Sequence, residues 1–319
     1  GPSANGAQLE GSKSFSKKFM QRHQIPTAAY AEFTMENFEE SKAYILQQPL
    51  PVVLKADGLA AGKGVIICQS HEEAIASITE MIIHKQYGEA SGKVVIEEFL
   101  DGIEVSVFVL TDGKGYKIIG HAKDYKRIGE GDTGPNTGGM GCVSPVPFVD
   151  EVFMKKVTER IIQPTIEGLQ NEQIIYKGFI FFGLIKVKGE PFVIEYNCRM
   201  GDPETEVVMP RLKNDLVQLF LSVHDGTIAD QHIEYDERAC CTVVAVSKGY
   251  PGDYIKNIPI LLPATENKDT MVFHAGTKEQ DGQLVTNGGR VVAVSSYGEN
   301  IQAAVQFSRK ALQEIHFDG

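Results

Sequence analysis

Glu195 and Asn197 stand two positions apart in the run Phe-Val-Ile-Glu-Tyr-Asn-Cys-Arg over residues 192–199. Residues two apart in a strand share one face, and carboxylate and amide oxygens are ligands that Mg²⁺ accepts. Arg199 would continue that face, where its planar guanidinium could hold a carboxylate or a phosphate. The pattern predicts a divalent-cation site beside an anion site. A half-buried strand with a polar outer face would give the same pattern.

A glycine-rich loop lies between Lys55 and Lys63. Such a loop can lay backbone N–H groups and ammonium charges on phosphates. It is not a Walker A loop, because only three residues separate Gly58 from Gly62 and Gly64 follows the lysine. We predict a mobile flap that covers phosphates, and a plain hairpin turn is the alternative.

Two adjacent acids, Glu97 and Glu98, end an apolar run and precede Phe99 and Leu100. Carboxylates at a strand end can accept hydrogen bonds from an exocyclic amine and from ribose hydroxyls. The two apolar residues would supply a wall and backbone groups to a purine edge. The alternative is a pair of exposed acids beside a turn.

Residues 132–141, Asp-Thr-Gly-Pro-Asn-Thr-Gly-Gly-Met-Gly, combine four glycines with Asn136 and two threonines. We expect the whole stretch 124–144 to be loop-like and this part to wrap a small ligand with backbone groups. A flexible linker is the alternative. Neither GxSxG nor HExxH occurs, and we expect structural roles for the eight scattered histidines.

Composition argues against several other classes of protein. The net charge of −11 argues against general binding to nucleic acid or to a membrane surface. Five cysteines without a CxxC pair argue against a disulfide framework or a zinc knuckle. No apolar run of about 18 residues predicts a membrane span, and the first residues do not resemble a secretory signal. We therefore expect a cytoplasmic protein.

Hydrophobic spacing and capping residues predict the order of the elements. Helices are predicted over residues 12–22, 34–48, 70–81, 149–169 with an interruption at Pro164, 215–224 and 301–315. Strands are predicted over residues 51–55, 65–69, 94–99, 104–110, 116–122, 178–186, 191–196, 240–246, 271–276 and 289–294. After residue 226 the sequence changes to short predicted strands linked by turns, which predicts a domain boundary near residue 229.

In this order, the motifs resemble those of the ATP-grasp ligases, and in detail those of the glycinamide ribonucleotide synthetase family. The resemblance covers essentially the whole chain. The segments that carry it are residues 1–4, 9–13, 25–27, 55–65, 96–100, 132–141, 194–204, 249–253, 273–276 and 286–290. The order of the motifs is far more specific than any one of them.

The resemblance implies an α+β chain with an ATP-grasp fold, in which two α+β subdomains sandwich ATP, followed by a small mixed α/β C-terminal domain. We expect residues 1–30 to pack on the core as an N-terminal segment. Residues 31–97 would form the lid subdomain, residues 98–228 the core subdomain and residues 229–319 the C-terminal domain.

The resemblance also implies the reaction. ATP, glycine and 5-phosphoribosylamine would give ADP, phosphate and glycinamide ribonucleotide through an acyl phosphate of glycine, with Mg²⁺ or Mn²⁺ as the metal. Phosphoryl transfer depends on positioning and charge neutralisation more than on a protein nucleophile, which agrees with the missing nucleophile motifs. We expect a monomer whose partners are small molecules, not nucleic acid or membrane.

Residue roles follow from the match alone. At the phosphates we expect Lys13, Lys55, Lys63, Gly62 and Gly64, with Lys126 and Arg127 as helpers. At the nucleoside we expect Glu97, Glu98, Phe99, Leu100 and Glu104. Glu195 and Asn197 would bind the metal, and Arg199, Asp202, Asp132 and Asn136 would hold glycine and the ribosylamine.

The chain as given departs from the family in one respect. The family carries a further N-terminal domain of about 100 residues, the usual size of a domain, which contributes to the ribosylamine phosphate site. We therefore expect residues 1–319 alone to bind MgATP and to make little product. The alternatives are another ATP-grasp carboxylate–amine ligase, such as a biotin-carboxylase-like or related purine enzyme, and an ATP-binding module without ligase activity.

Overall fold

The computed structural model describes residues 1–58, 64–263 and 267–318. Its helices are α1 (Ala4–Gly11), α2 (Lys13–Arg22), α3 (Phe38–Gln47), α4 (His71–Ile82), α5 (Glu151–Val157), α6 (Gln163–Asn171), α7 (Thr205–Arg211), α8 (Leu216–Asp225) and α9 (Ile301–Leu312). Its strands are β1 (Tyr30–Thr34), β2 (Val52–Ala56), β3 (Val65–Cys68), β4 (Lys93–Glu98), β5 (Ile103–Thr111), β6 (Tyr116–Gly129), β7 (Thr133–Ser144), β8 (Gly178–Val187), β9 (Glu190–Asn197), β10 (Ala239–Val246), β11 (Thr270–His274), β12 (Thr277–Gln280), β13 (Gln283–Thr286) and β14 (Arg290–Gly298). The mixture of helices and strands confirms the predicted α+β class.

The first sheet has four antiparallel strands in the order β1-β4-β2-β3. Helices α3 and α4 pack on it around a core that includes Leu54, Ile78 and Ile96. Helix α4 begins where the capping pattern predicts, because the Ser70 side chain accepts a hydrogen bond from the Glu73 backbone N–H. Strand β4 ends at Glu97 and Glu98, so two acids lie at one end of a central strand.

The second sheet has eight strands in the order β11-β14-β10-β7-β6-β5-β8-β9. Both faces of its centre are buried, and β5 shows this by alternation: Val107 and Val109 face one core, whereas Phe108 and Leu110 face the other. The first core includes residues of α2, α5 and α6, and the second includes residues of α7 and α8. The first core includes Val193 and Tyr196 and so holds β9, the edge strand that carries Glu195 and Asn197.

The prediction that residues 124–144 are loop-like is wrong. Strand β6 continues to Gly129 and β7 begins at Thr133, so the glycine-rich stretch forms a long antiparallel hairpin. Only the C-terminal end of β7 pairs with β10, from Cys240 opposite Ser144 to Val243 opposite Gly141. The glycine-rich part pairs with β6, with Asn136 opposite Arg127, and this pairing overrides the low strand propensity of Gly and Asn. The ladder is irregular near Arg127, where its register shifts.

Two helices were not predicted, α1 and α7. Helix α1 begins at a Ser3 cap and buries Leu9, although its sequence is small and polar. The predicted helix over residues 149–169 exists as α5 and α6 joined by a π-helical turn, Thr158–Ile162. The regular α-helix therefore breaks before Pro164, not at it.

Strands β10, β14 and β11 extend the second sheet, and α9 packs against them. The sheet is thus continuous across residue 229, and the proposed domain limits stay a prediction. In the described ranges, no helix is both long and apolar enough to cross a membrane.

Candidate functional site

A cleft of about 270 Å³ opens where the two sheets and the N-terminal helices meet. The first sheet lines it with residues of β2, β3 and β4, the second sheet with residues 194–197 of β9, and α1 and α2 with six further residues. Among the predicted site residues, the cleft brings together Lys13, Lys55, Gly64, Glu97, Glu195, Asn197 and Arg199.

The centre of the cleft wall is a buried carboxylate between two buried lysines. Glu97 Oε2 lies 2.9 Å from Lys55 Nζ and 3.1 Å from Lys17 Nζ. The three side chains are 4%, 8% and 2% exposed, respectively. Burial lowers the pKa of Lys17 to about 8, against the opposing effect of Glu97. Three buried charges with a net charge of +1 suit an anionic ligand.

Two polar atoms in the wall lack a partner among the described residues: Glu97 Oε1 and Ser16 Oγ. Buried polar atoms are nearly always hydrogen-bonded, since leaving one unpaired costs about 1–3 kcal/mol. Both residues line the cleft. The wall therefore holds a carboxylate oxygen and a hydroxyl group that have no described partner and could bind a ligand in the cleft.

The first residues of the glycine-rich loop are tied to the start of α2. Asp57 accepts hydrogen bonds from the Ser12 hydroxyl (3.0 Å) and the Ser14 backbone N–H (2.6 Å). Lys13 Nζ donates to the Gly58 carbonyl (3.3 Å), and burial lowers the pKa of this lysine. Residues Gly62 and Lys63, and the predicted flap of which they are part, lie outside the described residues.

Glu195 and Asn197 lie on the same face of β9, as their spacing predicts. The β8–β9 ladder has a β-bulge next to Glu195. Gly183 lies opposite Glu195, and a Cβ at this position would come within 3.1 Å of the Glu195 side chain, so the close approach favours glycine. Asn197 Oδ1 accepts a hydrogen bond from Arg199 Nη2 (3.3 Å). Arg199 Nε also lies 3.1 Å from Glu10 Oε1.

The metal candidates are two oxygen donors, and the described residues contain no cluster of three or more His, Cys, Asp or Glu that could hold a metal ion. A carboxylate and an amide fit Mg²⁺, which keeps waters and binds phosphate oxygens alongside one or two protein ligands. The donor set would therefore suit a cation that arrives with a phosphorylated ligand.

The residues predicted at the nucleoside divide into two groups. Glu97 lines the cleft, whereas Glu98, Phe99, Leu100 and Glu104 are not among its lining residues. Glu98 Oε1 instead accepts a hydrogen bond from the Ala29 backbone N–H (2.8 Å), which ties β4 to the segment before β1. The nucleoside roles of these residues stay a prediction.

A second charged cluster lies between β5, β6 and the start of α7. Lys126 Nζ lies 2.9 Å from Glu104 and 3.9 Å from Asp124, and the Ser106 hydroxyl donates to Glu204 (3.1 Å). Burial and the charge of Asp124 raise the pKa of Glu204 to about 7. The carboxylates of Asp124 and Glu204 were missed at the sequence level, although Glu204 follows the Gly-Asp-Pro run.

Of the residues predicted to hold the two small substrates, Arg199 lines the cleft, whereas Asp132, Asn136 and Asp202 are not among its lining residues. Asp132 lies at the tip of the β6–β7 hairpin with a φ of +59°, and Asn136 pairs with Arg127 farther along it. Asp202 forms an ion pair with Arg290, at 2.9 Å. Their substrate roles stay a prediction.

Sequence reasoning missed Ser16, Lys17 and Arg290. Lys17 had a usable signal, since it follows Lys13 by four positions and so lies on the same face of a predicted helix. Arg290 had no local signal of a contact with Asp202, because the two residues lie 88 positions apart in the chain.

Two family models match the chain. Residues 11–205 match the model described as phosphoribosylglycinamide synthetase, ATP-grasp (A) domain, and residues 240–319 match phosphoribosylglycinamide synthetase, C domain. Relatives include the phosphoribosylamine–glycine ligases of Escherichia coli O157:H7, 47% identical over 321 residues, and Yersinia pestis, 45% identical over 322. These alignments cover the whole chain and 74% and 75% of the respective relatives.

Solved structures also resemble this chain. The phosphoribosylamine–glycine ligase of Thermotoga maritima has a TM-score of 0.92 and 38% identity, covering all of this chain and 79% of that one. The biotin carboxylase domain of the Hydrogenobacter thermophilus 2-oxoglutarate carboxylase has a TM-score of 0.77 at 19% identity, covering all of this chain and 69% of that one, which shows the shared fold alone. The predicted ATP-grasp fold is confirmed, and the chain belongs to the phosphoribosylglycinamide synthetase family, the ATP-grasp C–N ligases named phosphoribosylamine–glycine ligases.

Proposed function

We propose that this chain joins glycine to 5-phosphoribosylamine at the expense of ATP, giving glycinamide ribonucleotide, ADP and phosphate. Family membership supports the reaction. The observation that supports the nucleotide site is the cleft wall formed by Glu97, Lys17 and Lys55. An unpaired buried carboxylate oxygen next to buried lysines is complementary to a ligand with both an amine and phosphates. ATP has both.

The nucleotide would lie along this wall. The adenine amine would donate to Glu97 Oε1, and Lys13 and Lys55 would face the phosphates. Lys55 Nζ already donates to Glu97 and to the Ile194 carbonyl (3.4 Å), so it reaches β9 from β2. This position supports a role in holding the transferred phosphate between the two sheets.

Glu195 and Asn197 would hold Mg²⁺ or Mn²⁺. When bound, the metal supplies charge neutralisation at the phosphates. Asn197 Oδ1 is held by Arg199, and Arg199 is held by Glu10, so the amide oxygen is oriented before a ligand arrives.

The chemistry would proceed in two displacements. A glycine carboxylate oxygen attacks the γ-phosphorus and ADP leaves, which gives glycyl phosphate. The ribosylamine nitrogen then attacks the carbonyl carbon, phosphate leaves and the nitrogen loses a proton. We place glycine near Arg199 and Asp202, where a guanidinium can take a carboxylate. The amine would come from the side of the β6–β7 hairpin.

An oxygen-labelling experiment tests this proposal. With both glycine carboxylate oxygens labelled as ¹⁸O, we expect each released phosphate to carry one ¹⁸O atom, because the attacking oxygen leaves with phosphorus. Mass spectrometry of the phosphate reads this directly. Unlabelled phosphate, with product formed, would rule out the acyl phosphate. Binding of ATP without any release of phosphate would favour an ATP-binding module without ligase activity. We further propose a cytoplasmic monomer.

A further inference from the structure

Lys17 is a buried lysine that the proposed reaction does not use. It lies on α2 with 2% exposure, and its ammonium group contacts three acceptors: Thr27 Oγ1 (2.8 Å), the Ala28 carbonyl (3.2 Å) and Glu97 Oε2 (3.1 Å). An ammonium group has three N–H donors. All three are therefore committed within the protein, and Lys17 has none left for a ligand.

Lys55 differs from Lys17 in this respect. It donates to Glu97 Oε2 and to one carbonyl, that of Ile194, which leaves one donor for the cleft. Both lysines share the same carboxylate oxygen. As a result, Glu97 Oε1 stays without a partner among the described residues, in a side chain that is 4% exposed.

The second lysine changes the charge of the wall. With a single lysine, Glu97 would form a neutral buried ion pair. Moving that lysine to a phosphate would then leave the buried carboxylate without a counter-charge. With Lys17 present, Glu97 keeps a counter-charge when Lys55 turns to an anionic ligand.

We propose that Lys17 is a positioning residue that makes the cleft select a purine with an exocyclic amine at C6. Its ammonium group holds Glu97 Oε2, so that the carboxylate keeps its orientation and Oε1 accepts a hydrogen bond. An adenine amine donates to that oxygen, whereas the oxo group of hypoxanthine would oppose it with a second acceptor. The inference rests on the proposed nucleotide site and goes beyond it by assigning the origin of base selection.

Without Lys17, the selection should weaken. Glu97 would be held by one lysine and would rotate more freely, so that Oε1 would be less well placed to accept a hydrogen bond from an adenine amine. Hydrogen bonds to a charged group contribute about 1.5–3 kcal/mol, so we expect the preference for ATP over ITP to fall by about tenfold or more.

Titration calorimetry of the 319-residue chain with MgATP and MgITP tests this. We expect the ratio of the two dissociation constants to fall in Lys17→Met and to be retained in Lys17→Arg, which keeps the charge. Lys42→Met is the matched control, because Lys42 lies on α3, where it forms an ion pair with the exposed Glu39 and lies over the Phe38 ring. Its ratio should equal that of the wild type. Thermal melting confirms that each variant is folded.

The outcomes separate the two proposals. If the wild type binds neither nucleotide, the proposed function fails. If the wild type prefers ATP but Lys17→Met keeps the full preference, or loses both nucleotides equally, the role of Lys17 is overturned. Should Lys17→Met not fold, Lys17→Gln decides the question: its amide keeps N–H donors for Thr27 and the Ala28 carbonyl but removes the charge that pairs with Glu97. An unchanged ratio in that variant overturns the role.

Discussion

Arg290, at the start of β14, forms an ion pair with Asp202, which lies in the loop after β9: Nη2 lies 2.9 Å from Asp202 Oδ2. Its Nη1 also donates to the carbonyls of Gly138 (2.9 Å) and Asp202 (3.2 Å). Tyr250 adds a second tie, because its hydroxyl accepts from the Gly138 backbone N–H at 2.9 Å. Residues from the C-terminal part of the chain thus hold the loop and the hairpin that we assign to the small substrates.

We therefore predict that Arg290→Met impairs the use of glycine more than the binding of ATP. Asp202 and Gly138 would lose their common donor, and kcat/KM for glycine should fall by about tenfold. The dissociation constant for MgATP should stay unchanged, because the nucleotide wall is built from other residues. Steady-state ADP formation against glycine concentration, alongside ATP calorimetry, measures both.

The matched control is Arg160→Met. Arg160 forms an exposed ion pair with Glu190, and such pairs contribute little to stability. This variant should behave as the wild type. Equal losses of glycine use and ATP binding in Arg290→Met would contradict the assignment.

Glu195→Gln should reduce ATP-dependent turnover by about a hundredfold or more, since one anionic metal ligand is lost. The melting temperature should not change, because Glu195 is exposed on an edge strand. Glu190→Gln, at the other end of β9 and in an exposed ion pair, is the control that should keep full turnover. Undiminished turnover in Glu195→Gln would remove this residue from the metal site.

Gly139→Ala should destabilise the protein more than Gly131→Ala. Both residues have positive φ, at +114° and +69°, so either alanine costs about 1–2 kcal/mol of backbone strain. Only at Gly139 would the new Cβ come within 2.4 Å of Pro203 Cδ, whereas at Gly131 it would meet no described atom within 4 Å. The clash should add about 1–3 kcal/mol. Urea unfolding of both variants measures the difference, and equal free energies of unfolding would refute the contact.

Glu204 should make the protein less stable as pH rises toward neutrality. Its folded pKa of about 7 lies above the ordinary 4.5, so between these values the native state holds a proton that the unfolded chain has released. Stability from this group is complete below pH 4.5 and falls as pH rises through 7. The loss should reach about 3 kcal/mol for this 4% exposed side chain.

The measurement is the free energy of unfolding of the wild type minus that of Glu204→Gln, in urea at pH 4.5, 6 and 7.5. We expect this difference to decrease steadily with pH. Glu39→Gln, whose side chain is 81% exposed, should give a difference that is flat over this range. If the difference for Glu204→Gln were also independent of pH, the Glu204 carboxyl would not be the source of the pH-dependent stability.

Local features of the chain could be predicted from the sequence because their causes are local. The Ser12 and Ser70 caps, the period-two pairing of Glu195 with Asn197 and the glycine-rich run after Lys55 depend on neighbouring residues only. The order of these motifs was enough to identify the ATP-grasp fold. It also placed most of the cleft-lining charges, from Lys13 to Arg199.

The tertiary structure alone decided which partners those residues have. Residues 133–144 form a strand because β6 pairs along them and β10 pairs with residues 141–144, against the preference of their glycines. Glu97 has two lysines on one oxygen because α2 and β2 converge on the end of β4. Arg290 reaches Asp202 because α7, which follows the Asp202 loop, packs against β10, β7 and β14. Periodicity and spacing report the face on which a side chain lies, whereas long-range packing determines what that face meets.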